Sequence, residues 1–248
     1  MRVLSGNLII KLLTLLLLIS LLIFGFKPFK DSVDAEITLI EEVEAYQSET
    51  RRLSDGSYLV AVRTSMPSVK AEMVRWWFAE FLKTTEHYKW WHPTDHVWMD
   101  WENKKPGEIS GASHLVHEYI GGELSKLRIQ FVDPSEFFGY NPNDENTFVI
   151  CARAGMLDRE INIAKMCHIV INNEYGAEMR SRFWLGHVAS RQGNQTIPSI
   201  IGFMGNMAIS RLFTLTKKDA EDLKRHAEEE MSFLAKLLPS LYYSENKN

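Results

Sequence analysis

Residues 217–238 read KKDAEDLKRHAEEEMSFLAKLL, and the reading of this stretch decides the fold. Leu223, Ala227, Met231, Leu234 and Leu238 recur at the spacing of one helical face. Lys224, Arg225, Glu228, Glu229 and Lys236 occupy the opposite face, so exposed positions were open to charge. Two ionisable residues nevertheless stand inside the apolar stripe, His226 and Glu230. Four residues apart, they stack one turn above the other. A carboxylate turned into a core is costly unless something compensates it. Two arrangements do so: an internal His226–Glu230 pair at the core edge, or a bound cation completed by ligands from elsewhere in the chain.

Upstream of this helix the pattern is that of strands. Tyr58 to Thr64 alternates, and Leu127, Ile129 and Phe131 alternate with Lys126, Arg128 and Gln130. Further strands are expected at 147–153, 163–172 and 178–188, the last two joined by a turn at Asn172-Asn173-Glu174-Tyr175-Gly176. Pro67 is expected to open a helix running to about Leu82. Ser199 to Phe213 reads as a helix, and Thr216 with Asp219 as the cap of the terminal one, ending at Pro239. Strands followed by a long C-terminal helix are α+β order. The helix lies across the concave face of a curved antiparallel sheet, with a pocket between them.

Candidate ligands lie in two places. Tyr88-Lys89-Trp90-Trp91-His92-Pro93-Thr94-Asp95-His96 reads as an aromatic loop with two histidines and an aspartate, Pro93 forcing His92 to be extended. Counting back in twos from Leu127 turns Glu123 towards the buried side, provided that Gly121-Gly122 introduces no bulge. His168 shares an apolar strand face with Met166 and Val170, where a histidine is a hydrogen-bonded core residue or a pocket group.

The chain has 248 residues, 45% hydrophobic and 24% charged, as expected of one large globular domain or one domain with a small addition. A formal net charge of -4 speaks against nucleic-acid binding. Seven Trp and thirteen Phe suit an apolar pocket and a filled core equally. Cys151 and Cys167 lack metal-ligand spacing; they pair across strands or remain buried thiols. Residues 8–26 are apolar apart from Lys11, and no small-residue cleavage site follows closely. An uncleaved anchor over residues 1–30 is expected, with a cleaved secretory signal as the alternative. Arg2, Lys11 and the amino terminus against Lys27 and Lys30 place the domain on the periplasmic or extracellular side. A linker with a short amphipathic segment (31–56), a folded domain (57–242) and a tail (243–248) complete the division. Oligomeric state is not legible.

Several ordered segments together resemble one family. Trp76-Trp77-Phe78, the stretch from Tyr88 to His96, His117-Glu118-Tyr119-Ile120-Gly121-Gly122-Glu123, Glu178 to Trp184, and His226 with Glu230-Met231 are similar to the diacetylphloroglucinol hydrolases, over roughly residues 57–238. The resemblance implies a Bet v 1-like (helix-grip) fold and a Zn2+ site of two His and two Glu, which map here onto His92, Glu123, His226 and Glu230. It implies hydrolysis of a carbon–carbon bond, releasing the acyl group of an acylated phenolic or β-diketone-like small molecule. Metal-activated water would attack the acyl carbonyl, and the hydroxylated ring would leave as a delocalised carbanion. Four protein ligands exceed the usual three of catalytic zinc sites. The resemblance gives His168 a substrate-oxygen or proton-shuttling role and Asp95 a polar substrate contact. Trp91 and Phe183 are expected in the substrate pocket. Phe183 and Thr84 stand where tyrosines are expected, which shifts the substrate away from diacetylphloroglucinol itself. The competing function is a non-catalytic helix-grip module that binds an apolar or aromatic ligand.

Overall fold

The computed structural model describes residues 10–18 and 47–247. Its frame is one antiparallel sheet: β1 (Glu49–Arg52), β2 (Tyr58–Pro67), β3 (His96–Glu102), β4 (Ser113–Ile120), β5 (Glu123–Val132), β6 (Thr147–Met156), β7 (Ile161–Asn173), β8 (Gly176–Gln192) and β9 (Gln195–Ile197). The strand order is β1-β2-β8-β7-β6-β5-β4-β3, with β9 added beside β8. The helices are α1 (Ala71–Trp76), continued by a wider turn at Trp77–Phe81, α2 (Thr85–Trp91), α3 (Ser135–Phe138), α4 (Ile200–Gly205), α5 (Ala208–Thr214) and α6 (Lys217–Glu245).

α6 is the long helix of the opening stretch, and it lies along β2 and reaches α2 and β4. Its cap is a reciprocal pair: the Thr216 hydroxyl accepts from the Asp219 backbone N–H, and the Asp219 carboxylate accepts from the Thr216 N–H. Ala227, Met231, Leu234 and Leu238 are buried against Val60, Val62, Met179 and Val170 of the sheet and Trp77 and Phe78 of the α1 region. This is the expected α+β arrangement, an antiparallel sheet gripped by one long C-terminal helix. Pro239 does not end the helix, which runs six residues further; the cost of its missing N–H falls on one bond near the terminus.

Other boundaries differ from the sequence reading for local reasons. Pro67 closes β2, pairing with Gly176, and the helix begins only at Ala71. Gly176 is obligatory there, since at φ 153° a side chain would run into the Met66 carbonyl oxygen. The aromatic stretch is helical through Trp91, because the Thr84 hydroxyl caps it by accepting from the His87 N–H. Pro93 then stops it, and His92 is extended as expected.

A second apolar layer covers the other side of the sheet, with Leu59, Trp184, Phe137, Phe138 and Ile169 around a Cys151–Cys167 disulfide joining facing positions of β6 and β7. The bond closes a 16-residue separation, so replacing both cysteines by alanine should lower stability by about 3 kcal/mol. Urea midpoints of the double variant and the oxidised parent measure this directly.

The membrane expectation is corrected. Among the described residues, no helix is long and apolar enough to cross a membrane. Of the apolar run, residues 10–18 are described, as helix. The remainder of the expected anchor, and the amphipathic segment expected around Ile37 to Tyr46, lie outside the described residues. A membrane-anchored domain on the periplasmic or extracellular side is therefore not supported.

Candidate functional site

Between α6 and the concave face lies a cavity of about 450 Å3, walled by Phe78, Trp91, Ile129, Phe131, Met166 and Phe183. Glu118, His114, His168, His226 and Glu230 are among its polar groups. The expected pocket residues Trp91 and Phe183 both face it, as does His168, whose Nδ1 lies 2.8 Å from the Ser181 hydroxyl across the β7–β8 pair. Burial lowers the His168 pKa to about 4, so its ring is neutral at neutral pH.

At one end, four buried side chains converge. His96 Nε2 stands 3.6 Å from Glu230 Oε2 and 3.9 Å from Glu118 Oε2. His226 Nε2 stands 4.0 Å from Glu230 Oε2 and 3.9 Å from Glu118 Oε2. Neighbouring donors around tetrahedral zinc, with bonds of about 2.1 Å, are roughly 3.4 Å apart. These four His–Glu separations are a little longer than that; His96, His226 and Glu230 group as possible cation donors, with Glu118 beside the two histidines.

Hydrogen bonds sort the three nearby histidines. His96 Nδ1 donates to the Tyr88 carbonyl oxygen at 2.8 Å, leaving Nε2 with a lone pair, buried and without a hydrogen-bond partner. His226 Nδ1 faces the Asp95 carboxylate at 3.2 Å, which likewise turns the Nε2 lone pair towards the two glutamates. His92 is wired the other way. Its Nδ1 accepts from the Asp95 backbone N–H at 3.2 Å, which puts its proton on Nε2; that atom, like His96 Nε2, is buried without a hydrogen-bond partner, with Glu229 at 3.4 Å and Asp95 at 3.7 Å. A protonated nitrogen has no lone pair to give a cation. His92 Asp95 His226 do form a second donor grouping, beside His96 His226 Glu230, but in this hydrogen-bond pattern only the latter presents free lone pairs. The His92 ring stacks parallel to that of His226, 5.2 Å between centroids.

Electrostatics mark the same cluster. Burial raises the Glu230 pKa to about 7, with His226 and His92 pulling it back. Burial opposes a charge on His226, but Glu230, Glu118 and Asp95 together outweigh it and raise its pKa. Burial lowers His96 to about 4. The Tyr88 hydroxyl donates to Glu118, and the Tyr88 ring stacks on His96 at 3.7 Å. Burial first, then the neighbouring Glu118, pushes its pKa well up.

Glu123 is a correction. It is exposed at the first position of β5, and its charge acts on Lys218 rather than on the cluster. It has the strand parity of Ser125 and Leu127, which line the cavity, but lies too far out along β5 to be buried. Gly121 and Gly122, both at positive φ, form a tight turn that pairs Ile120 with Glu123 and Glu118 with Ser125. Glu118 therefore shares the inward face and lies two residues deeper. Reading the register across the Gly-Gly turn would have found it. Asp95 also differs from expectation: it stands behind His226, not among the residues lining the cavity.

The family described as DAPG hydrolase PhiG domain matches residues 34–243. Phloretin hydrolase of Eubacterium ramulus is 27% identical over 206 residues, covering 77% of this chain and 70% of the relative. A 2,4-diacetylphloroglucinol hydrolase of Pseudomonas sp is 26% identical over 200 residues, covering 74% of this chain and 66% of the relative, so the chain spans just under two thirds of its length. Among solved structures, Ara h 8.0201 aligns with 74% of this chain and 99% of its own, at 8% identity and TM-score 0.43. Ginseng major latex-like protein 151 from Panax ginseng aligns with 68% and 97%, at 9% identity and TM-score 0.35.

Proposed function

The chain belongs to the DAPG hydrolase family, and from that premise we propose that it is a zinc-dependent hydrolase that removes the acyl group from an acylated phenolic ring by cleaving a carbon–carbon bond. The names of its relatives, hydrolases of phloretin and of 2,4-diacetylphloroglucinol, support this substrate class. The observation that carries the zinc assignment is the convergence of two imidazole lone pairs, His96 Nε2 and His226 Nε2, on the carboxylates of Glu118 and Glu230. These four side chains replace the set His92, Glu123, His226 and Glu230 as the proposed ligands. A bound Zn2+ supplies a Lewis acid for the acyl carbonyl and lowers the pKa of water.

The chain's own residues do the rest. The apolar walls hold the aromatic ring and keep bulk water out. His168, neutral and tethered to Ser181, hydrogen-bonds a substrate oxygen; so low a pKa suits this role better than that of a general acid. Tyr88 orients the Glu118 carboxylate. Asp95 fixes the His226 ring and its proton from behind, and is a positioning residue. Water's hydroxyl ends on the acyl carbon and its proton on the ring carbon.

The test is elemental analysis of the purified full chain with an assay on acylated phloroglucinols. One equivalent of zinc, and hydrolysis abolished by chelation and restored by zinc, are expected. A zinc-free preparation that hydrolyses these compounds at full rate would refute the assignment. Asp95→Asn should weaken zinc binding roughly 10- to 100-fold while leaving the one-to-one stoichiometry intact, as read by competition with a chelating dye.

A further inference from the structure

His114 is a buried histidine with no part in the cation site. It follows the period of two inward from Glu118: His114, Val116 and Glu118 are all buried on the face of β4 that lines the concavity. His114 belongs to the cavity wall, is 2% exposed, and its Nε2 has no hydrogen-bond partner. Trp101 stacks on the ring at 4.7 Å, and Tyr88 stands perpendicular to it at 5.1 Å. A buried ring nitrogen left unmatched is costly, so such an atom calls for a partner that arrives.

Position identifies the partner. The Tyr88 ring that touches His114 is the one stacked on His96, so His114 stands about one aromatic ring beyond the cation cluster. Burial, with His96 close by, holds its pKa near 3, so it is an uncharged imidazole. A hydroxyl, both donor and acceptor, can pair with either neutral tautomer, whereas a carbonyl or an ammonium can pair with only one.

We propose that His114 is a specificity-determining residue that hydrogen-bonds the hydroxyl para to the acyl group of the substrate ring. This rests on the acyl-phenol reading of the cavity. It narrows the substrate class to acylated rings with a free hydroxyl opposite the acyl carbon.

Equilibrium binding to the zinc-loaded full chain tests this, with monoacetylated phloroglucinol and its analogue lacking only the para hydroxyl as probes. The parent protein should prefer the former by roughly tenfold. His114→Phe should bind the two within about twofold of each other, and His114→Gln should recover part of the preference. Zinc content and thermal melting confirm that each variant is folded. A His114→Phe protein that keeps the full preference, or a parent that shows none, overturns the proposal. If neither probe binds the parent at all, the acyl-phenol reading falls and takes this inference with it. Binding without any turnover removes the hydrolase assignment but leaves the His114 comparison intact.

Discussion

Glu118→Ala is expected to lose zinc and to slow hydrolysis of an acylated phenol by on the order of a thousandfold, the rate equivalent of about 4 kcal/mol. Glu123→Ala is expected to leave both within about twofold. The two carboxylates are five residues apart across one tight turn and share a face of the hairpin, so the pair isolates depth along the strand from every other variable. Glu118 is buried, accepts from Tyr88 and stands 3.9 Å from both His96 and His226. Glu123 is exposed beside Lys218. Removing Glu118 also leaves the buried Tyr88 hydroxyl without its acceptor. Glu118→Gln, which keeps an acceptor there but no charge, separates the lost ligand from lost folding. The reverse outcome, with Glu123 needed and Glu118 dispensable, would mean that the hairpin is paired in a different register.

The second large effect is on acid stability of the metal-free protein. His114, His96 and His168 are neutral in the fold, with pKa values lowered by burial to about 3, 4 and 4. In the unfolded chain each returns to about 6.5. The unfolded state therefore binds more protons in the interval between, and stability present above pH 6.5 is lost as pH falls through 4. At about 1.4 kcal/mol per unit, each histidine contributes on the order of 3 kcal/mol. Glu230, raised to about 7, acts in the opposite sense: the fold gains from its protonation as pH falls from 7 to 4.5, and offsets about one histidine. The raised pKa of His226 works in that direction too. A net loss of several kcal/mol between pH 6.5 and pH 4 remains. Urea midpoints of the chelator-treated protein at pH 7 and pH 4.2 measure it; equal midpoints would show that these histidines are not buried as described.

Much of the fold was legible because it depends on periodicity. The stripe from Leu223 to Leu238 reported the gripping helix, and the alternation at 127–131 reported a half-buried strand. His226 and Glu230 were legible for the same reason, as charges on an apolar face that close in buried on the cavity. Glu118 and His96 were not. Choosing between Glu118 and Glu123 needs the pairing across Gly121-Gly122, and choosing between His92 and His96 needs to know which ring nitrogen holds a proton. That depends on the Asp95 N–H meeting His92 and the Tyr88 carbonyl meeting His96, contacts fixed by how α2 ends. The aromatic stretch reads as a loop because Pro93 breaks it, whereas the Thr84 hydroxyl caps a helix that runs through Trp91 before that break. The disulfide depended on strand register, which places Cys151 opposite Cys167.

Diffraction from zinc-loaded crystals on the two sides of the zinc absorption edge tests the central assignment most directly. A single anomalous peak is expected within bonding distance of His96 Nε2, His226 Nε2 and the carboxylates of Glu118 and Glu230. A peak bonded instead by the His92 ring, or a fully zinc-loaded crystal with no peak among these four side chains, would contradict it.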